Sequence, residues 1–161
     1  MTSRSAARPT RRIAVGAVAV GGGAPIAVQS MTCAPAGDAR ATLEQIRALA
    51  AAGCELVRVA LPKGEAVPSF REVVSGSSLP VIADIHFDWR LALAAVECGA
   101  AGVRLNPGTM GGRAKVREVV RAATEHGVAV RIGVNTGSLP RALRDRATTQ
   151  PAEALVEAAL G

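Results

Sequence analysis

The feature that most constrains the fold of this chain is a regular alternation of short apolar runs with amphipathic segments. The apolar runs are centred near residues 28, 57, 82, 104 and 131, so each is about one βα unit from the next. The segments between them carry apolar residues at helical spacing, such as Leu43, Ile46 and Leu49. Apolar strands that alternate with helices are typical of a parallel sheet covered by helices. We therefore predict an α/β fold of about five βα units, either most of an open doubly wound sheet or five eighths of a barrel.

Capping and breaking residues predict where the helices begin and end. Asp38 is a predicted N-cap for ATLEQIRALAAAG, and Gly53 ends that helix. Asp88 opens the helix WRLALAAVECG in the same way. The other predicted helices are a short one through FREVV, a longer one in GRAKVREVVRAATEHG, and two short ones in LPRALRD and PAEALVEAAL. Ahead of these, a Gly-punctuated hairpin is expected around Gly16, followed by a first buried strand from Pro25 to Ser30.

Length and composition limit the classes of protein that the chain can belong to. Its 161 residues are the size of one domain and fall short of the roughly 250 of a closed (β/α)8 barrel. Aromatic residues make up only 2%, which argues against base stacking on a nucleic acid. We find no uninterrupted apolar run of about 18 residues, so no membrane-spanning helix is expected.

The formal charge of +6 is concentrated at the N-terminus. The first twelve residues contain no acid and four arginines, which are Arg4, Arg8, Arg11 and Arg12. The rest of the chain has 15 basic against 13 acidic residues, so its body is not a basic nucleic-acid surface. We predict that residues 1–12 form a disordered basic tail and that residues 13–161 form the substrate-binding domain.

The three cysteines are widely spaced and odd in number, which predicts neither a disulfide framework nor a metal knuckle. Cys54 and Cys98 adjoin glycines at helix-to-strand junctions and are interpreted as buried small apolar residues. Free thiols of this kind fit a reducing cytoplasm.

Polar side chains follow the predicted strands at their C-terminal ends, which is where parallel α/β folds bind ligands. Arginine recurs within three strands, in VRV, VRL and VRI, as Arg58, Arg104 and Arg131. A guanidinium inside an apolar strand needs a partner, and its forked donors match phosphate oxygens. Asp84 is the main acid nearby, so a bound anion is the expected partner. In the alternative, the arginines point outward between the helices.

Four further polar residues at this edge are candidates for the site. Asp84 and His86 project to the same side if their strand persists, which suits proton transfer or hydrogen bonding to a substrate oxygen. A structural histidine is the alternative. Asn106 and Asn135 follow strands within NPG and NTGS, where turn formation competes with ligand binding. His126 precedes a glycine at a helix end and is interpreted as a C-terminal cap.

Taken in order, these motifs resemble a known family. VGAVAVGGGAPIAVQSMT, ATLEQI, GCELVRVALP, PVIADIHFDWRLAL, GVRLNPG and VRIGVNTGSL are similar to the N-terminal barrel domain of the IspG or GcpE family of 4-hydroxy-3-methylbut-2-enyl diphosphate synthases. The resemblance implies a partial TIM-type barrel. It also implies an oxidoreductase that opens methylerythritol cyclodiphosphate reductively in isoprenoid biosynthesis. The resemblance further implies a 4Fe–4S cluster as cofactor, ferredoxin or flavodoxin as electron donor, and assembly as a homodimer.

The resemblance also implies roles for the candidate residues. Arg58, Arg104 and Arg131 would bind the diphosphate. The substrate would be lined by Asp84, His86, Asn106 and Asn135, with Asp84 and His86 as the catalytic pair.

The sequence departs from the family in specific places. Family members are longer, and their later strands and their cluster domain, with three Cys and a Glu, have no match here. Cys33, Cys54 and Cys98 do not match those ligands, so the iron–sulfur domain is expected to be absent. The family's PGN is here Pro107, Gly108 and Thr109. Two alternatives are a non-catalytic half-barrel that binds phosphate ligands and a pteroate-synthase type of barrel; the ADIHFD, RLNPG and RIGVN series disfavours the latter.

Overall fold

A computed structural model describes residues 8–139 and 141–160 of this chain. Its seven described strands are Ile13–Val15 (β1), Val18–Val20 (β2), Gln29–Met31 (β3), Leu56–Ala60 (β4), Val81–Asp84 (β5), Gly102–Leu105 (β6) and Ala129–Ile132 (β7). The helices are Ala39–Ala51 (α1), Val67–Gly76 (α2), Trp89–Glu97 (α3), Arg113–Glu125 (α4), Arg141–Thr149 (α5) and Pro151–Leu160 (α6). Short 3₁₀ turns cover Gly64–Ala66, Pro107–Thr109 and Thr136–Ser138.

The parallel sheet runs in the order β3-β4-β5-β6-β7, which is the order of the chain. Side chains of α1, α2, α3 and α4 all pack into one core with the same face of the sheet. Unreversed strand order with helices on a single face is the arrangement of a barrel wall, because a doubly wound sheet reverses its order and carries helices on both faces. The prediction of five βα units in a partial barrel is confirmed.

The predicted helix caps are confirmed. The side chain of Asp38 accepts a hydrogen bond of 2.9 Å from the amide of Ala41 at the start of α1. Asp88 accepts one of 3.0 Å from the amide of Arg90 at the start of α3. Past the end of α1, Gly53 has a φ of +90°, a conformation that side chains with a Cβ rarely adopt.

The short helix predicted through FREVV is confirmed as α2, which begins at Val67 because Pro68 suits a first helical turn. The prediction for the first strand is wrong. The first strand covers Gln29–Met31 rather than Pro25 to Ser30, and it is not buried: Met31 is exposed, as are Ile26 and Val28 ahead of the strand. Proline has no amide to donate, and the amide of Val28 donates 2.8 Å to the Glu55 carboxylate instead of to a neighbouring strand.

The predicted tail lies partly outside the described residues, which begin at Arg8. Just before β1, the hydroxyl of Thr10 accepts a hydrogen bond of 3.0 Å from the amide of Gly22 in the glycine-rich loop that follows β2, residues 21–23. This contact places residue 10 beside the glycine-rich loop. Disorder of residues 1–7 stays a prediction.

The two faces of the sheet have different surroundings. On the outer face, Val57, Ala83 and Val103 are fully buried against the helices. On the inner face, Leu56 and Ile82 near the starts of β4 and β5 pack with Val15 of the β1–β2 hairpin. The hairpin therefore covers the N-terminal end of the inner face and leaves the C-terminal end for polar side chains.

Candidate functional site

The candidate site lies on the inner face at the C-terminal edge of the parallel sheet. Strand pairing sets Asp84 beside Arg104 and Arg104 beside Arg131 on three neighbouring strands. Paired residues of parallel strands project to the same face, so these three side chains form one layer. Arg58 lies one layer closer to the hairpin, opposite Met31 and Ile82.

Asp84 is the centre of the layer. Its side chain is only 5% exposed, and one carboxylate oxygen, Oδ1, lies 3.2 Å from Arg104 Nη1. The other oxygen, Oδ2, lies 3.5 Å from Arg58 Nε and 3.5 Å from His86 Nε2. One buried carboxylate therefore holds two guanidinium groups and an imidazole together. The alternative that the arginines point outward between helices is wrong for Arg58 and Arg104, because both converge on this inner-face carboxylate.

Two residues of β3 contact the arginines from the other side and were not among the predicted site residues. The Sδ atom of Met31 accepts hydrogen bonds from Arg58 Nε at 3.3 Å and Nη2 at 3.1 Å. The amide oxygen of Gln29 accepts a hydrogen bond of 3.0 Å from Arg131 Nη1. Their spacing of two residues along the strand is the available sequence signal, since it puts both on the face that Arg58 occupies.

The loops above the strands bring His86 and Asn106 to the same edge. Strand β5 ends at Asp84, so the contact of His86 with Asp84 is made from a loop rather than from a continued strand. Asn106 is nearly fully buried, and its side-chain oxygen accepts a hydrogen bond of 3.2 Å from the amide of Gly108. This is the turn-forming interaction that was expected as the alternative to ligand binding by Asn106. The hydroxyl of Thr109 donates to the backbone carbonyl of His86 and joins the two loops.

Asn135 and His126 lie at different ends of the sheet. Asn135 is exposed and directly precedes the 3₁₀ turn Thr136–Ser138, on the same side as the arginines. His126 forms the C-cap of α4 and its Nδ1 lies 2.9 Å from the carbonyl of Ala122. The capping prediction for His126 is confirmed.

The electrostatics of the layer favour an anion. Three guanidinium groups lie at this edge of the inner face with one carboxylate: Arg58 and Arg104 contact Asp84, whereas Arg131 is exposed and contacts the neutral Gln29. Arginine donors in this convergent arrangement match the several oxygens of a phosphate group. Below the layer, between the sheet and the glycine-rich loop, lies a cavity of about 1170 Å³ lined by largely apolar residues, with Gln29 and Arg131 at its polar side.

The cysteines do not form a site for an iron–sulfur cluster. Cys33 is exposed near the end of β3, while Cys54 and Cys98 are buried at the other end of the strands. The thiol of Cys54 donates to the carbonyl of Leu56 at 3.1 Å, and burial raises the pKa of Cys98. In the described part of the chain, no three His, Cys, Asp or Glu side chains gather in a way that could hold a metal ion. Cluster binding requires convergent thiolates, so these residues do not fit that group.

At the start of α3, Asp88 and Arg90 form a local ion pair on the surface, with Arg90 Nε 2.9 Å from Asp88 Oδ1. Hydrogen bonds from the side chain and then the backbone of Arg90 lower the pKa of Asp88.

Within residues 8–139 and 141–160, no helix is long and apolar enough to cross a membrane.

Comparison with known proteins adds a family match. Residues 10–161 match the family described as the GcpE TIM-barrel domain. The chain is 50% identical over 153 residues to a 4-hydroxy-3-methylbut-2-en-1-yl diphosphate synthase (flavodoxin) of Symbiobacterium thermophilum, covering 95% of this chain and 41% of that protein. The synthase of Geobacter sulfurreducens is 55% identical over 152 residues, covering 94% and 43%. The synthase of Aquifex aeolicus is 52% identical over 153 residues, covering 95% and 43%.

The chain thus spans less than half the length of the curated relatives that it matches. Among solved structures, a mandelate oxidase mutant with a monooxide FMN adduct covers 77% of this chain and 48% of its own, at 22% identity and a TM-score of 0.46. No functional conclusion follows from that similarity.

Proposed function

This chain belongs to the GcpE TIM-barrel domain family, and from that premise we propose that it is the diphosphate-binding part of a 4-hydroxy-3-methylbut-2-enyl diphosphate synthase. The proposed substrate is methylerythritol cyclodiphosphate, whose ring is opened reductively. The observation that carries the proposal is the gathering of three arginines around one buried carboxylate: Arg58 and Arg104 contact Asp84, and Arg131 is paired with Arg104 on the next strand.

The proposed role of the arginines is to bind the diphosphate of the substrate. Arg104 is held in place by Asp84, while Arg58 is shared between Asp84 and the weak acceptor sulfur of Met31. A thioether accepts hydrogen bonds poorly, so Arg58 loses little when it turns its donors to phosphate oxygens. Arg131 exchanges a neutral amide for an anion, which is also a gain in hydrogen-bond strength.

The remaining site residues are proposed to orient the sugar-derived part of the substrate. His86 is half exposed and its Nε2 lies 3.5 Å from Asp84 Oδ2, so its ring is placed where it can hydrogen-bond to a substrate oxygen. Asn135 is exposed at the same edge. Asn106 is buried and shapes the adjoining loop, so we assign it a supporting role beside the substrate.

We assign electron transfer to none of the residues that the structure describes. The family's 4Fe–4S cluster supplies the two electrons of the reaction, with reduced flavodoxin or ferredoxin as donor, and the residues described here do not fit that cluster. The names of the related synthases include flavodoxin, which supports flavodoxin as the electron donor. A homodimer and a cytoplasmic location are proposed on the same family basis.

The test is calorimetric titration of the purified 161-residue chain with inorganic pyrophosphate and, separately, with the cyclic diphosphate. We expect both to bind at the same site, so that one competes with the other, and we expect Arg104→Ala to weaken both by about tenfold or more. Arg47→Ala is the matched control, because Arg47 is exposed on α1 on the outer side of the sheet. Absence of binding, or equal losses in the two variants, would overturn the proposal.

A further inference from the structure

The arginine layer depends on a glycine that carries no functional group. Gly133 directly follows β7, and its amide donates a hydrogen bond of 2.8 Å to the carbonyl of Leu105, the residue after Arg104. That bond holds the backbone of Gly133 against the end of β6. Counted along the strand, Gly133 lies two residues after Arg131 and so occupies the same inner face.

The side chain of Arg104 lies directly over Gly133. A Cβ atom added to Gly133 would be 2.7 Å from Arg104 Nη2 and 2.8 Å from Arg104 Cζ, and it would overlap Arg104 Nε as well. Separations below 3.0 Å essentially never occur for real Cβ atoms, so the guanidinium occupies the space that any side chain would need. Gly133 is not among the glycines with positive φ, so its backbone conformation does not itself require glycine.

We propose that Gly133 is a positioning residue. Because it has no side chain, the Arg104 guanidinium can lie against its backbone, within reach of both Asp84 and the diphosphate. The inference rests on the proposed function, since it assigns a residue that shapes the same anion site. The Arg104 side chain is only 12% exposed, and its Nη1 lies 3.2 Å from Asp84 Oδ1, so its present position over Gly133 is also the one that contacts the carboxylate. A Cβ at position 133 displaces the flexible end of Arg104 from its position beside Asp84, while the backbone can remain where it is.

The experiment compares Gly133→Ala with a second glycine variant, Gly64→Ala. Gly64 lies in a 3₁₀ turn without positive φ, and an added Cβ would meet no atom within 4 Å. Titration with inorganic pyrophosphate follows binding in the full chain. We expect Gly133→Ala to weaken binding by about tenfold, close to the effect of Arg104→Ala, and Gly64→Ala to leave it unchanged.

A double variant separates a positioning role from a general structural one. If Gly133 acts through Arg104, the double variant Gly133→Ala with Arg104→Ala binds pyrophosphate no more weakly than Arg104→Ala alone. Additive losses would overturn the proposal. Should Gly133→Ala unfold the chain, removal of the guanidinium in the double variant relieves the overlap and restores folding; failure to restore it would overturn the proposal too.

The outcomes also distinguish this inference from the proposed function. If the wild-type chain does not bind pyrophosphate, the proposed function fails. When the wild type binds and Arg104→Ala weakens binding but Gly133→Ala does not, the anion site stands and the role of Gly133 is wrong.

Discussion

The Nη1 atom of Arg131 donates a hydrogen bond of 3.0 Å to the side-chain oxygen of Gln29, across 102 residues of sequence. Gln29 begins the first strand of the parallel sheet and Arg131 lies in the last. The sheet runs from β3 to β7 without pairing these two strands. Their side chains meet because the sheet curls around its inner face, as a barrel wall does. This curvature brings the charged side chains of four strands, β4 to β7, to one end of the inner face.

We expect Arg131→Ala to weaken pyrophosphate binding by about tenfold while changing the free energy of unfolding by less than about 0.5 kcal/mol. The side chain is exposed and its described partner is a neutral amide, so little stability depends on it. Calorimetric titration and urea unfolding measure the two effects. Gln29→Ala is the control, because it removes the hydrogen bond but leaves the charge, and an equal loss of binding there would contradict the charge-based explanation.

We expect Asp84→Asn to lower the free energy of unfolding by about 2 kcal/mol, because two guanidinium groups lose their shared counter-charge. The value lies below that for a fully buried pair, since the arginines are partly exposed. Saturating pyrophosphate should recover more stability in this variant than in the wild type. Asp38→Asn is the control, since asparagine caps helices as well as aspartate does. A loss of stability no larger than that of the control would count against the central role of Asp84.

The surface pair of Asp88 and Arg90 predicts a pH-dependent contribution to stability. Asp88 has a pKa below its ordinary value, chiefly through the Arg90 side-chain hydrogen bond, so its ionised form favours the folded state. The contribution is fully present above the unfolded pKa of about 4 and is lost as the pH falls through the lower folded pKa.

Asp88→Ala tests this expectation, with a loss of about 1 kcal/mol at pH 7 that shrinks as the pH falls below about 4. Urea unfolding between pH 7 and pH 3 follows the difference. Asp88→Asn keeps the cap without the charge, so its stability relative to Asp88→Ala should not vary with pH. A pH-independent difference between the wild type and Asp88→Asn would refute the assigned cause.

The cysteines should react in two classes. Cys33 is exposed, whereas Cys54 and Cys98 are buried and burial raises the pKa of Cys98, which lowers its thiolate fraction. We expect one thiol of the folded chain to react rapidly with a disulfide reagent such as Ellman's, and all three to react in urea. Cys33→Ser should abolish the fast phase, and a second fast thiol in the folded wild type would show that the burial is incomplete.

Sequence periodicity determined the βα units and most helix boundaries, because apolar spacing and capping by Asp38 and Asp88 are local interactions. Local patterns also placed the arginines at one edge of the sheet. The short first strand could not be predicted, since it depends on the carboxylate of Glu55 taking the amide of Val28 across 27 residues.

Only the tertiary structure decided which side chains of the site contact one another. The contacts of Arg58 with Met31 and of Arg131 with Gln29 depend on the curl of the sheet, and no local pattern encodes that curl. The position of the Arg104 side chain over Gly133 likewise depends on two strands, because the register of β6 and β7 sets it. Sequence fixes which side chains each strand presents, whereas the distance between side chains on different strands follows from register and curvature, which arise only when the whole sheet packs.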